Sequence, residues 1–196
     1  MTGLLESRDN QTYTYYPNTD LVQSILSPDG VTSNFTYFGT QRVLSESQSF
    51  NGETAEVAFT YDNFFRPDSK TLKLNSNTIS SVATAYRPDG SPSQIGEMNL
   101  SYDQISGRLN STTVGQVKDY RTYDSFGNLA TYKAVYNKNG VEELLYSYEL
   151  GRDALHRIVT KKETIQGETN TYVYSYDLAG RLVSVSRKRL GRKKSR

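Results

Sequence analysis

The segment Tyr176-Asp177-Leu178-Ala179-Gly180-Arg181-Leu182 recurs along the chain, and no other feature restricts the fold as strongly. Tyr123-Asp124-Ser125-Phe126-Gly127-Asn128-Leu129 repeats it with Asn in place of Arg. Tyr102-Asp103 followed by Gly107-Arg108-Leu109 repeats it with one inserted residue. Arg152-Asp153-Ala154-Leu155-His156-Arg157-Ile158 repeats it with Arg for Tyr and His for Gly. Weaker copies begin at Tyr15, Tyr37, Tyr61 and Tyr86. The eight starting residues lie about 23 positions apart on average, a period typical of repeat architectures.

Each copy encodes a tight turn. Asp at the first position of a type I turn bonds the backbone two residues on, and Gly at the fourth adopts the left-handed conformation that closes a bulged hairpin. Asp124-x-x-Gly127 and Asp177-x-x-Gly180 fit that rule. His156 stands where the Gly belongs; His is one of the few other residues enriched at positive φ. A second series of Ser/Thr/Asn-x-x-Gly segments lies between these turns, as at Ser49 to Gly52, Asn137 to Gly140 and Thr164 to Gly167, and reads as turns of the same shape. Together the two series place a turn about every 12 residues over most of the chain, leaving strands of about eight. The expectation is an all-β protein of roughly 16 strands in consecutive hairpins, a long twisted antiparallel sheet that curls as a strip toward a shell or barrel.

The strands alternate. Tyr172, Tyr174 and Tyr176 share one face, and Thr171, Val173 and Ser175 the other. An aromatic two residues before the anchor recurs, as at Phe35, Phe59 and Tyr174, and predicts a ladder of rings across one face. Arg108, Arg157 and Arg181 emerge just past their turns, placed to stack on a neighbouring Tyr or to bond the Asp of the next repeat. The opposite face, rich in Ser, Thr, Lys, Glu and Gln, reads as wet.

Composition excludes several chemistries. The chain has no Cys and one His, so disulfides, thiolate sites and paired imidazoles are excluded, and no cofactor or metal site is expected. Sixteen Tyr argue for strands over disorder. A catalytic triad would have to use His156, but no Gly-x-Ser-x-Gly elbow presents a nucleophile, so the chain reads as non-enzymatic. The repeating turn Asp residues read as turn caps. No apolar run is long enough for a membrane span. Residues 187–196 carry seven Lys/Arg and no acid, while the body holds 16 basic and 21 acidic residues. The reading is a repeat array over 1–186 and a basic disordered tail over 187–196. Only that tail could attract nucleic acid.

The unit Tyr-Asp-x-x-Gly-Arg-Leu resembles the YD repeat of the RHS family, which includes bacterial polymorphic toxins, the shell-forming components of insecticidal toxin complexes and animal teneurins. The resemblance covers about residues 13–186. It rests on Tyr102, Asp103, Gly107, Arg108 and Leu109; on Tyr123, Asp124, Gly127 and Leu129; on Asp153, Arg157 and Ile158; and on Tyr176, Asp177, Gly180, Arg181 and Leu182. It implies a β-strip coiled into a hollow shell that encloses a toxic or unfolded polypeptide. The family's self-cleaving Asp-Pro-Gly-type segments have no match here, so the chain reads as a stretch of such a shell or a short array. The implied role is a scaffold in bacterial toxin delivery or intercellular competition, secreted or at the cell surface. The implied partners are a polypeptide cargo or flanking repeats, and self-association through sheet edges is expected. The alternative reading is an adhesion module that binds glycan or protein through exposed Tyr, Arg and Asn.

Overall fold

A computed structural model describes residues 4–39 and 42–190. Contacts divide the chain into two units, Met1–Gly96 and Glu97–Arg196. The first holds β1 (Ser7–Arg8), β2 (Gln11–Tyr15), β3 (Val22–Leu26), β4 (Thr32–Phe38), β5 (Arg42–Phe50), β6 (Glu53–Tyr61), β7 (Pro67–Leu74), β8 (Asn77–Tyr86) and β9 (Pro92–Ile95). The second holds β10 (Met98–Tyr102), β11 (Leu109–Val114), β12 (Val117–Tyr123), β13 (Leu129–Lys138), β14 (Val141–Arg152), β15 (Ile158–Ile165), β16 (Glu168–Tyr176) and β17 (Leu182–Leu190). Within each unit every strand pairs antiparallel with its neighbour in sequence. The all-β hairpin reading holds, with 17 strands among the described residues where about 16 were expected.

Neither unit has a dry core. Val135, 2% exposed, is the one buried apolar residue among the described ones. Ser111 and Asn170 are the buried polar residues among the described ones. In a globular domain of this length a second layer covers the apolar face of the sheet. Here large apolar side chains stay exposed, and stability must come from the ladders, the turns and short-range contacts across strands.

The expected face alternation is present. On β16, Tyr172, Tyr174 and Tyr176 are half-covered, while Val173 and Ser175 are exposed. The ring ladder is local instead of continuous. Tyr132 stacks on Tyr148 at 5.4 Å, with Tyr146 edge-on to Tyr148, and Tyr16 meets Tyr37 edge-on at 5.9 Å. Charged groups fill the same face between the rings. Arg121 bonds Asp119 through two nitrogens and lies over Tyr132. Lys161 bonds Glu163 and the Tyr146 hydroxyl. Burial alone would lower the Lys161 ammonium, but the Glu163 carboxylate overrides it and pushes its pKa up.

Two sequence readings need correction. Apart from Ser27-Pro28-Asp29-Gly30, whose Gly30 amide donates to the Ser27 carbonyl as in the first series, the second turn series does not share the shape of the first. Asn51-Gly52, Asn139-Gly140 and Gln166-Gly167 are two-residue connections with both φ positive, as are Asn75-Ser76 and Asp9-Asn10. That is the signature of the type I′ hairpin turn, whose twist matches the flanking strands. The boundary drawn at 186 also falls inside a strand. β17 runs to Leu190, pairing Tyr172 with Arg187 and Thr171 with Lys188. Arg187 donates two bonds to Asn170 Oδ1 at 3.2 and 3.0 Å and lies over the Tyr172 ring, so its stem covers strand while its charge finds partners. The rest of the basic run, 191–196, lies outside the described residues.

Candidate functional site

The repeated motif is the candidate site. All eight anchors sit at or next to the end of an even-numbered strand, and at each one the pairing register shifts. At each shift one residue of the following strand has no partner, as Ala130 between the pairs Tyr123–Leu129 and Thr122–Thr131, which is a bulge; the turn before it closes on a left-handed residue. Gly107, Gly127 and Gly180 hold φ of 68°, 85° and 79°. His156 holds 61°, and Phe65, in the copy that lacks Gly, holds 60°. The turns close as the motif requires: the Gly127 amide donates to the Asp124 carbonyl, and the Asp124 amide to the Asn128 carbonyl. The same pair of bonds joins Asp153 to His156 and Arg157, and Asp177 to Gly180 and Arg181. In the copy with an insertion, Asp103 reaches Gly107 and Arg108.

The register brings the two ends of each motif together. Tyr102 faces Leu109, Tyr123 faces Leu129, Arg152 faces Ile158 and Tyr176 faces Leu182. The carbonyl opposite one anchor then accepts from the side chain of the next. The Tyr123 hydroxyl donates to Leu109 O at 2.8 Å, and Tyr176 to Ile158 O at 2.8 Å. Tyr37, Tyr61 and Tyr86 donate in the same way to Val22 O, Val43 O and Pro67 O. Arg152, which replaces Tyr in its copy, makes the equivalent bond from Nη2 to Leu129 O at 3.1 Å. Six of the eight anchors are therefore staples to the preceding repeat.

A cation adds a second staple. Arg108 lies over the Tyr123 ring at 5.7 Å, Arg157 over Tyr176 at 4.8 Å, Arg66 over Tyr86 at 4.3 Å and Arg42 over Tyr61 at 6.0 Å. The expected stacking on a neighbouring Tyr is present for Arg108 and Arg157. The bond to the next repeat's Asp is not how these Arg residues pair. Arg157 and Arg181 bond the Asp of their own turns, Nε to Asp153 Oδ2 and to Asp177 Oδ2, each at 2.8 Å, because four residues around a tight turn bring the two side chains face to face.

The turn carboxylates are held ionised. In Asp153 the Arg157 side chain contributes most to the lowered pKa; in Asp177 the Arg181 amide does, followed by its side chain. In Asp103 the Ser106 amide leads. In Asp62 and Asp124 burial would raise the carboxyl, but bonds from Arg66 and Asn128 outweigh it. A carboxyl with a lowered folded pKa stabilises the fold above the unfolded value of 3.8 and loses that contribution as pH falls through the folded one. The melting temperature should thus stay nearly level down to about pH 5 and drop together for all repeats below about pH 4. A triple variant, Asp124→Asn, Asp153→Asn and Asp177→Asn, should melt lower at neutral pH and show a shallower acid decline in a thermal scan. An equal decline would show that these carboxylates do not carry it.

One recurring position escaped the sequence reading. The residue before most anchors is Ser or Thr, and its hydroxyl pairs across the strand on the wet face: Thr14 with Ser24 at 2.7 Å, Thr36 with Ser45 at 2.6 Å, Thr122 with Thr131 at 2.6 Å and Ser175 with Ser184 at 2.6 Å. The signal was present as Thr-Tyr or Ser-Tyr at six of the eight anchors.

His156 packs against the turn of the preceding repeat. Its ring meets the Phe126 ring edge-on at 4.4 Å and its Nδ1 lies 3.4 Å from Asn128 Nδ2. Among the described residues no three His, Cys, Asp or Glu converge to hold a metal ion. An apolar hollow of about 360 Å³ lies beside the turn at Asp62, lined by Phe38, Leu44, Phe59, Tyr61 and Phe65.

Staples, bulged turns and sequential hairpins of this kind define a structural repeat scaffold. The Teneurin YD-shell family model matches residues 2–194, and the chain belongs to that family. Solved structures agree on the fold. A TcdB2–TccC3–Cdc42 structure matches with a TM-score of 0.61 at 12% identity, over 92% of this chain and 13% of that one. The pore form of the Photorhabdus luminescens Tc holotoxin, with a TccC3 variant, matches with a TM-score of 0.66 at 10% identity, over 92% of this chain and 12% of that one. The chain thus spans about an eighth of the length of those shell proteins. No curated protein matches its sequence.

Proposed function

We propose that this chain is a stretch of wall in a β-shell that encloses another polypeptide and delivers or presents it outside the cell, in bacterial toxin delivery or intercellular competition. The observation that carries the reading is the lack of a second layer: with Val135 the one buried apolar residue described, the sequence builds a sheet suited to a wall and unsuited to a globule. Family membership supports the shell, and the similar structures, a Tc holotoxin pore among them, support the toxin setting. Containment needs no catalytic residue. On the face bearing Tyr132, Tyr148, Asp119, Arg121, Lys161 and Glu163, the charges are already paired with one another. Such a face offers an enclosed chain few free partners and little apolar surface on which to fold.

The test is protease protection. An unstructured reporter peptide with one protease site is fused after the last residue of the native, full-length protein. The expected result is cleavage about tenfold or more slower than in the free peptide, since protection by that factor requires about 1.4 kcal/mol against opening. Cleavage at the free rate would overturn enclosure.

A further inference from the structure

The turns after β10, β12, β14 and β16 all lie at one edge of the second unit, because each intervening hairpin reverses the chain. Their tips carry Ile105, Phe126, Leu155 and Leu178. Ile105 and Leu178 are fully exposed, and Phe126 and Leu155 are 73% and 71% exposed. Turn chemistry asks for Gly, Pro, Asn, Asp or Ser at such positions. The turns at the opposite edge obey it: Gly115-Gln116, Asn139-Gly140 and Gln166-Gly167. Phe126 meets the His156 ring of the next turn, but among the described residues no ring contact accounts for Ile105, Leu155 or Leu178 at this edge.

From this asymmetry we infer that the apolar tip row of the second unit is a contact surface, and that its occupant is the same row of a second copy of this chain. Strands lie about 4.8 Å apart, so tips on alternate connections recur about every 10 Å. A row with one fixed spacing complements itself. Under a two-fold axis midway between Phe126 and Leu155, Ile105 faces Leu178 of the partner copy and Phe126 faces Leu155 of the partner copy. At about 150 Å² for each large side chain, the two rows together cover roughly 1,200 Å², the lower bound of specific interfaces. The contact joins strips edge to edge through side chains, separately from strand pairing. It stands whether or not the wall encloses a polypeptide.

The chain has no Cys, so single cysteines report the contact cleanly. One preparation carries Phe126→Cys, a second Leu155→Cys, and a control carries Asn139→Cys at the opposite edge. All three positions are exposed, and a melting curve confirms folding. Mixed under mild oxidation, the first two should form disulfide-linked pairs about tenfold faster than the control pairs with itself, and adding Ile105→Ser and Leu178→Ser to both should remove the advantage. Crosslinking at the control rate, or an advantage that survives those serines, would overturn the proposal. Neither result bears on reporter protection, so the two ideas fail separately.

Discussion

Gly127→Val is expected to lower stability by about 1.5–3 kcal/mol, the largest effect of any turn substitution. About 1–2 kcal/mol comes from holding a β-branched residue at a left-handed φ, here 85°. The rest comes from Arg108. A Cβ on Gly127 would meet the Arg108 guanidinium carbon at 2.7 Å, so the cation must leave its place over the Tyr123 ring, costing roughly 0.5–1 kcal/mol. The repeat Gly thus does two things: it closes its own turn and makes room for the cation of the preceding repeat. Gly180→Val separates them. There the Cβ meets Arg157 only at an ordinary 3.9 Å, so the conformational part alone remains, about 1–2 kcal/mol. Urea unfolding of both variants measures the difference. Combining Arg108→Ala with Gly127→Val should shrink the Gly127 effect toward that of Gly180; equal costs for the two glycines would refute the second role. An unchanged midpoint for Gly180→Val would refute the bulged turn itself.

Tyr123→Ala is expected to cost about 3 kcal/mol, and Tyr123→Phe about 1 kcal/mol. The phenylalanine keeps the half-covered ring under Arg108 and loses only the hydroxyl bond to Leu109 O. The alanine loses both links to the preceding repeat. The difference between the two therefore measures the ring, and the Phe value measures the staple. Chemical denaturation reads both, and a Phe variant as stable as the parent would show that the hydroxyl bond contributes nothing net.

What was legible in the sequence follows from range. Asp177 and Gly180 lie three residues apart, so turn chemistry alone places them. The alternation of Tyr172, Tyr174 and Tyr176 needs only the period of a strand. The staples were not legible. Tyr176 reaches Ile158 across 18 positions, and only the bulged register shows that the carbonyl opposite one anchor faces the next anchor's side chain. Arg152 was read only as a replacement of Tyr in its copy, yet its guanidinium reaches Leu129 O as a hydroxyl would. The opposite-edge turns were misread because Asn-x-x-Gly and Asn-Gly overlap in the same letters: at Asn137 to Gly140, the turn itself is Asn139-Gly140. The basic run misled because charge was read without a partner, whereas Arg187 finds Asn170 and Tyr172 across the strand.

The central claim is that this sequence builds a single-layered wall. Small-angle X-ray scattering with in-line light scattering on the 196-residue chain tests it most directly. A globule of that length has a radius of gyration of about 16 Å. The account predicts a clearly larger radius and a cross-section about one sheet thick, near 10 Å, in a monomer or a multimer. A 22.1 kDa monomer with a radius near 16 Å would contradict it, because it would mean that the hairpins fold back into a two-layered core.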